Sequence, residues 1–212
     1  MSWNNGKHHE YDKQDWSKLP SIFAEEVFWY IPKSGKILEI GSGLGQDSRF
    51  FHQQWYEIYS TDYSSEAIKL NTEKSSSEIL SDTYHCIQLD ITQGLWFSEG
   101  EFDVVYAHLS LHYFSQAITK QITADIRRVL RKWWIFAVFL NSVDDTEYGI
   151  GTKLEEDYYE IRWVPKRYFS IETARELYGE WFEILMLDNQ WETYKDREKW
   201  IHNMIRFVWK KI

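Results

Sequence analysis

Short apolar runs alternate with segments of helical spacing over most of the chain, and polar or glycine-rich stretches separate them. Residues 37–40 form the first apolar run, and residues 134–140 form a longer one that predicts a buried central strand. Between them, Ile118, Ile122 and Ile126 recur at a spacing of four, which is typical of an amphipathic helix. Strands that alternate with helices in this way predict right-handed βαβ units around a parallel sheet.

The pattern predicts a single domain that spans residues 1–212. The predicted strands cover residues 37–40, 56–61, 84–89, 102–107, 134–140, 182–187 and 204–209. The predicted helices cover residues 22–31, 48–54, 65–70, 115–131 and 171–177. Serines are placed to cap several of these helices, at Ser21, Ser64 and Ser170. The polar connection between the last two strands predicts that they form an antiparallel pair.

Two segments lack this regularity. Residues 1–19 are polar and aromatic, and we expect this N-terminal arm either to fold over a site as a lid or to fray. Residues 141–168 are acidic and aromatic, with two glycines and little periodicity. We expect this insert to be irregular, and a long irregular insert in a compact domain is usually functional or disordered.

The composition narrows the class of protein and its partners. The chain has 212 residues, of which 43% are hydrophobic and 27% are charged, as in ordinary globular domains. Its net charge of −9 argues against nucleic acid as the main partner, because phosphate binding relies on clustered Lys and Arg. No apolar run has the length of a membrane span, so we expect no membrane partner.

The cysteine and histidine residues give information about the cellular location and about metal binding. The single cysteine, Cys86, cannot form an internal disulfide, and the N-terminus lacks the apolar core of a signal peptide. Both observations favour a cytoplasmic location. No Cys/His set has metal-ligand spacing, so the adjacent His8 and His9 do not predict a metal site.

The most informative motif follows the first predicted strand. It runs from Glu39 through Gly41, Gly43 and Gly45, so that glycines occupy alternate positions between a strand and a helix. Glycine lets the chain turn sharply and lets the backbone approach a ligand where a Cβ would clash. In the dinucleotide fingerprint G-x-G-x-x-G the third glycine comes one residue later. We interpret the motif as a cofactor loop; the alternative is an ordinary turn between a strand and a helix.

Carboxylates end the next two predicted strands. Asp62 lies 21 residues after Gly41, where a carboxylate can accept both hydroxyls of a ribose. Asp90 can accept an adenine amine, with Ile91 and Tyr63 packed on the faces of the ring. The alternative for each acid is a turn or a helix cap. Acids at the ends of successive strands favour an adenosine-type ligand.

Residues 37–114 resemble the cofactor-binding half of the class I S-adenosylmethionine (SAM)-dependent methyltransferases. The resemblance is carried by the glycine loop, Asp62, Asp90 and the loop after the fourth strand, and it extends over most of residues 20–210. It is strongest to small-molecule enzymes of type 11 and of the tellurite-resistance-like group. It implies a doubly wound, Rossmann-like α/β fold. Such a fold has a seven-stranded, mostly parallel sheet with an antiparallel last strand and helices on both faces.

The resemblance implies transfer of a methyl group from SAM to a small-molecule acceptor by in-line displacement, with S-adenosylhomocysteine (SAH) as the product. Because the leaving group is already activated, we expect the protein mainly to position the reactants and to exclude water. Backbone N–H groups of the glycine loop, including that of Ser42, would hold the amino-acid end of the cofactor. We expect a monomer or a homodimer.

Side chains after the fourth strand are candidates for acceptor chemistry. His108 is expected to contact the cofactor and His112 to act as a base, since histidine titrates near neutral pH; the alternative for both is a structural role. Aromatic residues are candidates to line an acceptor pocket under the arm and the insert: Tyr11, Trp16 and Tyr113. Two other functions stay open, a non-catalytic SAM-binding sensor or subunit and a nicotinamide-dependent oxidoreductase.

The chain departs from the family pattern at several tryptophans. It contains 12 Trp; Trp133 stands where a glycine is usual before the fifth strand, and Trp55 stands where a helix-ending glycine is expected. A bulky residue adopts the left-handed conformation of such a glycine at a cost of roughly 1 kcal/mol or more. Both positions lie away from the glycine loop and the acids. We therefore expect cofactor binding to persist and exposed Trp side chains to favour self-association.

Overall fold

The structure is a computed structural model that describes residues 18–77, 82–178, 182–190 and 203–212. Strands make up its centre. The described strands are β1 (Lys36–Ile40), β2 (Glu57–Asp62), β3 (Tyr84–Gln88), β4 (Phe102–His108), β5 (Leu130–Asn141), β6 (Thr152–Glu155), β7 (Tyr158–Ile161), β8 (Val164–Arg167), β9 (Phe182–Gln190) and β10 (Met204–Lys211). Two sheets result, a large one in the order β3-β2-β1-β4-β5-β10-β9 and a small one in the order β6-β7-β8.

The helices begin close to the predicted positions. The described helices are α1 (Ile22–Val27), α2 (Gln46–Gln53), α3 (Ser65–Ser77), α4 (Gln116–Val129) and α5 (Ile171–Tyr178), with a 3-10 turn at Ile91–Gln93. The predicted serine caps are confirmed: Ser21, Ser64 and Ser170 each accept a backbone N–H three residues ahead, at 3.0, 3.2 and 3.1 Å. Helix α1 ends earlier than predicted, because the chain leaves it through tight turns after Val27.

The large sheet has the predicted class and direction. Neighbouring strands from β3 to β5 are parallel, whereas β10 runs antiparallel to both β5 and β9. The chain order of the strands reverses between β1 and β4, which lie side by side. Ligands of doubly wound sheets bind beyond the carboxyl ends of the strands at such a switch point. The fold therefore directs attention to the ends of β1, β2 and β4.

Apolar side chains alternate along the central strands and fill both faces of the large sheet. On one face, Phe23 of α1 and Phe51 of α2 pack with β-strand residues such as Phe139. On the other face, Ile126 of α4 and Tyr178 of α5 pack against the opposite side of the same strands. Burial of these side chains at about 25 cal/mol per Å² of apolar surface is the main force that holds the helices on the sheet.

The insert, residues 141–168, is more regular than predicted. It contains the small antiparallel sheet, and strands β7 and β8 are joined by a two-residue turn between Ile161 and Val164. Both turn residues, Arg162 and Trp163, have positive φ (51° and 68°). This is the geometry of the tightest hairpin turns, which usually carry Asn-Gly. The turn signal was absent from the sequence, so the expectation of an irregular insert was wrong.

The tryptophans at turns occupy the backbone conformation that glycine favours. Trp55 has φ 73° and follows α2, and Trp133 has φ 71° within the first residues of β5. The side chains of Trp55 and Trp163 are each 89% exposed. The predicted left-handed conformation at Trp55 and Trp133 is thus confirmed, and Trp163 is a third case that the sequence pattern did not single out as left-handed.

Candidate cofactor-binding site

Glycines turn the chain from β1 into α2. Gly41 and Gly45 have φ of 75° and 74°, and a Cβ at either residue would collide with Ser110 or Asn71 respectively. Packing within the protein therefore requires glycine at both positions. Gly43 differs, because at φ 54° an added Cβ would meet no atom of the described residues within 4 Å. The loop thus presents one open backbone face, at Gly43, which a ligand can approach.

Asp62, the last residue of β2, is bonded to the glycine loop. Its Oδ2 accepts the N–H of Gly43 at 2.9 Å, and its Oδ1 accepts the N–H of Ser64 at 2.8 Å. An ionised carboxylate has about four acceptor sites, so two remain for the hydroxyls of a ribose. Asp62 therefore stabilises a turn, which was the alternative to ribose binding in the sequence analysis. It still has the acceptor sites that a ribose ligand needs.

Asp90 also combines a structural bond with spare capacity. Its Oδ1 accepts the N–H and the hydroxyl of Thr92, at 3.0 and 2.7 Å, and thereby caps the 3-10 turn. Within the described ranges Oδ2 makes no hydrogen bond, so it can accept an exocyclic amine. Ile91 is buried, and Tyr63 is about half exposed.

A cavity of about 320 Å³ opens beside Asp90. It is lined by Gln88, Leu89, Asp90, Gln93, Gly94, Leu95, Trp96 and Asp125. Apart from Asp90, the lining comes from the end of β3, the 3-10 turn, the segment 94–96 that follows it, and α4, and no glycine-loop residue is among these lining residues. The cavity therefore extends from the predicted adenine position toward the edge of the sheet.

Glu39, within β1, is only 3% exposed and faces a buried polar cluster. Ser48 of α2 donates its hydroxyl to Glu39 Oε2. Burial raises the pKa of Glu39 well above its usual range, and the negative charge of Asp47 raises it further. A cationic amine nearby would favour the ionised carboxylate. The contact of Glu39 with a cofactor stays a prediction.

Asp47, the second residue of α2, links three elements under the glycine loop. Its Oδ1 accepts the N–H of Ser21 at 2.7 Å. Its Oδ2 accepts the hydroxyls of Ser21, at 2.8 Å, and of Tyr106, at 2.7 Å. These bonds join α1, α2 and β4 through one buried carboxylate. Sequence reasoning missed this cluster because nothing in the local pattern marks Asp47 as more than a helix-start acid.

The loop after β4 contacts the glycine loop. Ser110 donates its hydroxyl to Ile40 O, and its side chain occupies the space that a Cβ on Gly41 would need. The His108 ring lies nearly parallel to the Phe139 ring, with centroids 5.2 Å apart and an interplanar angle of 6°. Burial lowers the pKa of His108, so the ring is neutral at physiological pH. The contact of His108 with a cofactor stays a prediction.

His112 is buried, with 3% of its surface exposed, and its ring lies 4.2 Å from that of Tyr113. Burial lowers the pKa of His112 to about 3, with smaller contributions from Lys166 and His108. A general base is most effective when its pKa lies near the working pH, so this environment disfavours the predicted base role. That role stays a prediction, as does a contact between Tyr113 and an acceptor.

The remaining predictions concern the N-terminal arm, metal sites and membrane-spanning helices. Tyr11, Trp16 and most of the N-terminal arm fall in residues 1–17, which the structure does not describe. In the described part of the chain there is no group of three or more His, Cys, Asp or Glu residues that could hold a metal ion. No helix in these ranges has the length and apolar character needed to cross a membrane.

Comparison with known proteins shows which family part of the chain matches. Residues 37–133, from β1 to the start of β5, match the family described as "Methyltransferase domain". The chain is also 30% identical over 128 residues to an uncharacterized methyltransferase from Synechocystis. That similarity covers 56% of this chain and 56% of the relative, so the chain matches little more than half of the relative's length. The chain therefore contains, over residues 37–133, a segment that matches the methyltransferase-domain family.

Solved structures share the fold of this chain. A SAM-dependent methyltransferase from Methanosarcina mazei superposes with a TM-score of 0.74 at 18% identity, over 88% of this chain and 97% of that one. The 1,6-didemethyltoxoflavin-N1-methyltransferase of Burkholderia thailandensis, solved with SAH, has a TM-score of 0.74 at 14% identity, over 97% of this chain and 84% of that one. The predicted fold class and the predicted resemblance to SAM-dependent methyltransferases are confirmed.

Several features of the site fit SAM. The open space at Gly43, the two unused acceptor sites of Asp62 and the Oδ2 of Asp90 match close approach of the cofactor, a ribose and an adenine. The hydroxyl of Ser42 is buried and has no hydrogen-bond partner in the described ranges, which leaves it available to the cofactor. Ser110 completes the loop surface, and sequence reasoning missed it because its partner, Ile40 O, is a backbone atom 70 residues away.

Proposed function

We propose that this methyltransferase transfers a methyl group from SAM to a small-molecule acceptor by in-line displacement. The observation that carries the proposal is the bond between Asp62 Oδ2 and the N–H of Gly43, 2.9 Å long. It joins the predicted ribose ligand to the open face of the glycine loop, within a sequence segment of the methyltransferase family.

The chain's own residues would act by binding and orienting. SAM, when bound, supplies a methyl group activated by a sulfonium centre. Because the N–H groups of Gly41, Ser42, Gly43 and Gly45 donate to protein oxygens in this structure, the buried Ser42 hydroxyl would hold its carboxylate, and Glu39 would lie near its amino group. Asp62 would accept the ribose hydroxyls.

At the other end of the cofactor, Asp90 would accept the adenine amine, between Ile91 and Tyr63. His108, at the end of β4, would face the region where cofactor and acceptor meet. Burial lowers the pKa of His112 to about 3, which makes it a weak base, so the proposed reaction does not depend on proton removal by this residue.

The acceptor side is formed by the loop after β4 and by the insert. Both segments contain tyrosines, and the small sheet of the insert contacts the loop directly through the hydrogen bond from the Tyr158 hydroxyl to Tyr113 O, 3.0 Å long. The toxoflavin-precursor enzyme from Burkholderia thailandensis, which shares the fold, carries a small heteroaromatic molecule beside SAH. These two points support a small-molecule acceptor, and Tyr11 and Trp16 of the arm remain candidates to contact it.

Calorimetry with SAM, SAH and NAD tests the cofactor, and incubation with labelled SAM and a metabolite panel tests the reaction. We expect tight SAM and SAH binding, weak or no NAD binding, and label transfer to at least one acceptor. Tight NAD binding without SAM binding would favour the nicotinamide-dependent oxidoreductase. Tight SAM binding without transfer across the panel would favour a sensor or subunit.

The oligomeric state and the cellular location of the protein are part of the same proposal. A monomer or homodimer is expected, and size-exclusion chromatography with light scattering distinguishes these from larger assemblies. The cytoplasmic location rests on the use of a single cysteine, Cys86, which is free in the structure.

A further inference from the structure

Arg167, the last residue of β8, is a buried arginine with 5% of its surface exposed. Its guanidinium bonds three residues in two chain segments. Nε donates to Phe114 O at 3.0 Å, Nη1 donates to Glu156 O at 3.1 Å, and Nη2 pairs with the Glu155 carboxylate. The guanidinium also lies over the Tyr158 ring, 4.8 Å from its centroid. Each of the three nitrogens therefore has its own acceptor.

These bonds belong to a larger set that fixes the main chain of residues 112–116 to the insert. The backbone N–H of Arg167 donates to His112 O at 2.6 Å. The Tyr158 hydroxyl donates to Tyr113 O at 3.0 Å, and Glu155 Oε2 accepts the N–H of Gln116 at 2.9 Å. Together with the bond from Arg167 Nε to Phe114 O, four main-chain groups in this short segment bond to the small sheet. We call this set the insert clamp.

The other end of the same loop is fixed to the glycine loop. The N–H of Leu109 donates to Phe139 O at 3.0 Å, and Leu109 has a left-handed φ of 54°. Ser110 donates its hydroxyl to Ile40 O, next to Gly41. The loop after β4 is thus held on the cofactor side by Ser110 and on the acceptor side by the insert clamp.

Lysine cannot replace Arg167 in this role. The guanidinium is planar, and its donors point in fixed directions that reach a carboxylate and two carbonyl oxygens at once. An ammonium group is a point charge on a flexible stem, and it would keep the pairing with Glu155 without orienting both carbonyl oxygens. Desolvation offsets much of the gain from a buried ion pair, so the pair with Glu155 by itself is weak evidence that Arg167 serves mainly stability.

We propose that Arg167 is a positioning residue for methyl transfer, because it sets the loop after β4 against the glycine loop and so fixes the acceptor relative to the cofactor. The inference rests on the proposed function for its chemical meaning. It goes beyond that function by assigning the small sheet a defined task, which is to hold residues 112–116 rather than only to cover the site.

The test compares Arg167→Met and Arg167→Lys with Arg206→Met in the full chain. Arg206 is a matched control, since it is also largely buried and bonds Asp188 and Glu26, away from the loop after β4. Hydrogen exchange is measured for peptides that cover residues 108–116 and 37–45. SAH affinity is measured by calorimetry, and kcat and KM for SAM are measured with labelled SAM and N-heteroaromatic amines as probe acceptors.

We expect Arg167→Met to raise the exchange rate of residues 112–116 by at least about 10-fold while residues 37–45 and SAH affinity stay within about 3-fold of the original chain. We expect kcat to fall by about 100-fold with KM for SAM unchanged, since a displacement of about 1 Å at a reacting group has that effect. Arg167→Lys should be more stable against urea than Arg167→Met. Its kcat should stay as low as that of Arg167→Met. Arg206→Met should lose stability, but the hydrogen-exchange rate of residues 112–116 should not rise selectively.

Unchanged exchange at residues 112–116 in Arg167→Met, or an equal change in Arg206→Met, would overturn the inference. Recovery of both stability and kcat in Arg167→Lys would show that only the charge matters and would also overturn it. Failure of the proposed function has a different signature, which is the absence of SAH binding or of methyl transfer in the unaltered chain. In that case the exchange measurement still decides whether Arg167 holds the loop.

Discussion

The carboxylate of Asp62 accepts the N–H of Gly43 at 2.9 Å and so joins the end of β2 to the open face of the glycine loop. One residue thereby shapes the loop and offers its remaining acceptor sites to a ligand. Most of the expected behaviour of the cofactor site follows from this pairing.

Substitution Asp62→Asn should weaken SAM binding by about 10-fold to 100-fold, because the neutral amide offers fewer acceptor sites and brings unwanted donors. Isothermal calorimetry with SAM and SAH measures the change. Asp82→Asn, at an exposed residue before β3, serves as the control and should leave the affinity unchanged. An unaltered Kd in Asp62→Asn would show that this carboxylate does not bind the ribose.

Substitution Gly43→Ala separates backbone strain from loss of ligand space. Gly149→Ala is a matched control, since Gly149 also has a positive φ (77°) and no atom of the described residues within 4 Å of an added Cβ. Both variants should lose about 1 kcal/mol of unfolding free energy in urea titrations. Only Gly43→Ala should also weaken SAH binding, by about 10-fold or more, because its methyl group enters the ligand's approach. Equal affinities in the two variants would place the cofactor elsewhere.

Glycine should stabilise the chain where tryptophan holds a left-handed conformation. Trp55→Gly and Trp163→Gly should each raise the unfolding free energy by about 1 kcal/mol, because both side chains are 89% exposed and contribute little packing. Trp29→Gly is the control, since Trp29 is 83% exposed but is absent from the residues with positive φ. Urea titrations that show equal effects at all three positions would contradict the strain argument.

His112 should make the protein sensitive to acid. Its folded pKa of about 3 lies below its unfolded value near 6.5, so the unfolded state binds more protons between these pH values and stability rises with pH there. Each pH unit below 6.5 should cost up to about 1.4 kcal/mol of unfolding free energy from this residue. His112→Gln should reduce the loss between pH 7 and pH 5, measured by urea unfolding, relative to the unaltered chain. The control His85→Gln, at a partly exposed residue, should not reduce this loss. An identical pH dependence in His112→Gln would mean that His112 is not buried as a neutral ring.

The sequence by itself determined the order of strands and helices, the caps and the cofactor motif. Local rules suffice for these, since alternating apolar residues mark strands, serines begin helices, and Glu39 to Gly45 carries its spacing on a contiguous stretch. The carboxylates Asp62 and Asp90 were also found, because each follows directly on a strand whose end the pattern locates.

Only the tertiary structure decided how these parts meet. The bonds of Asp47 to Ser21 and of Ser110 to Ile40 O join residues far apart in the chain, and no local pattern records such pairs. The neutral state of His112 depends on burial, which the sequence around it does not reveal. The small sheet of the insert was missed because its hairpin turn holds Arg162 and Trp163 in glycine-like conformations, where long-range packing overrides the local preference of the residues.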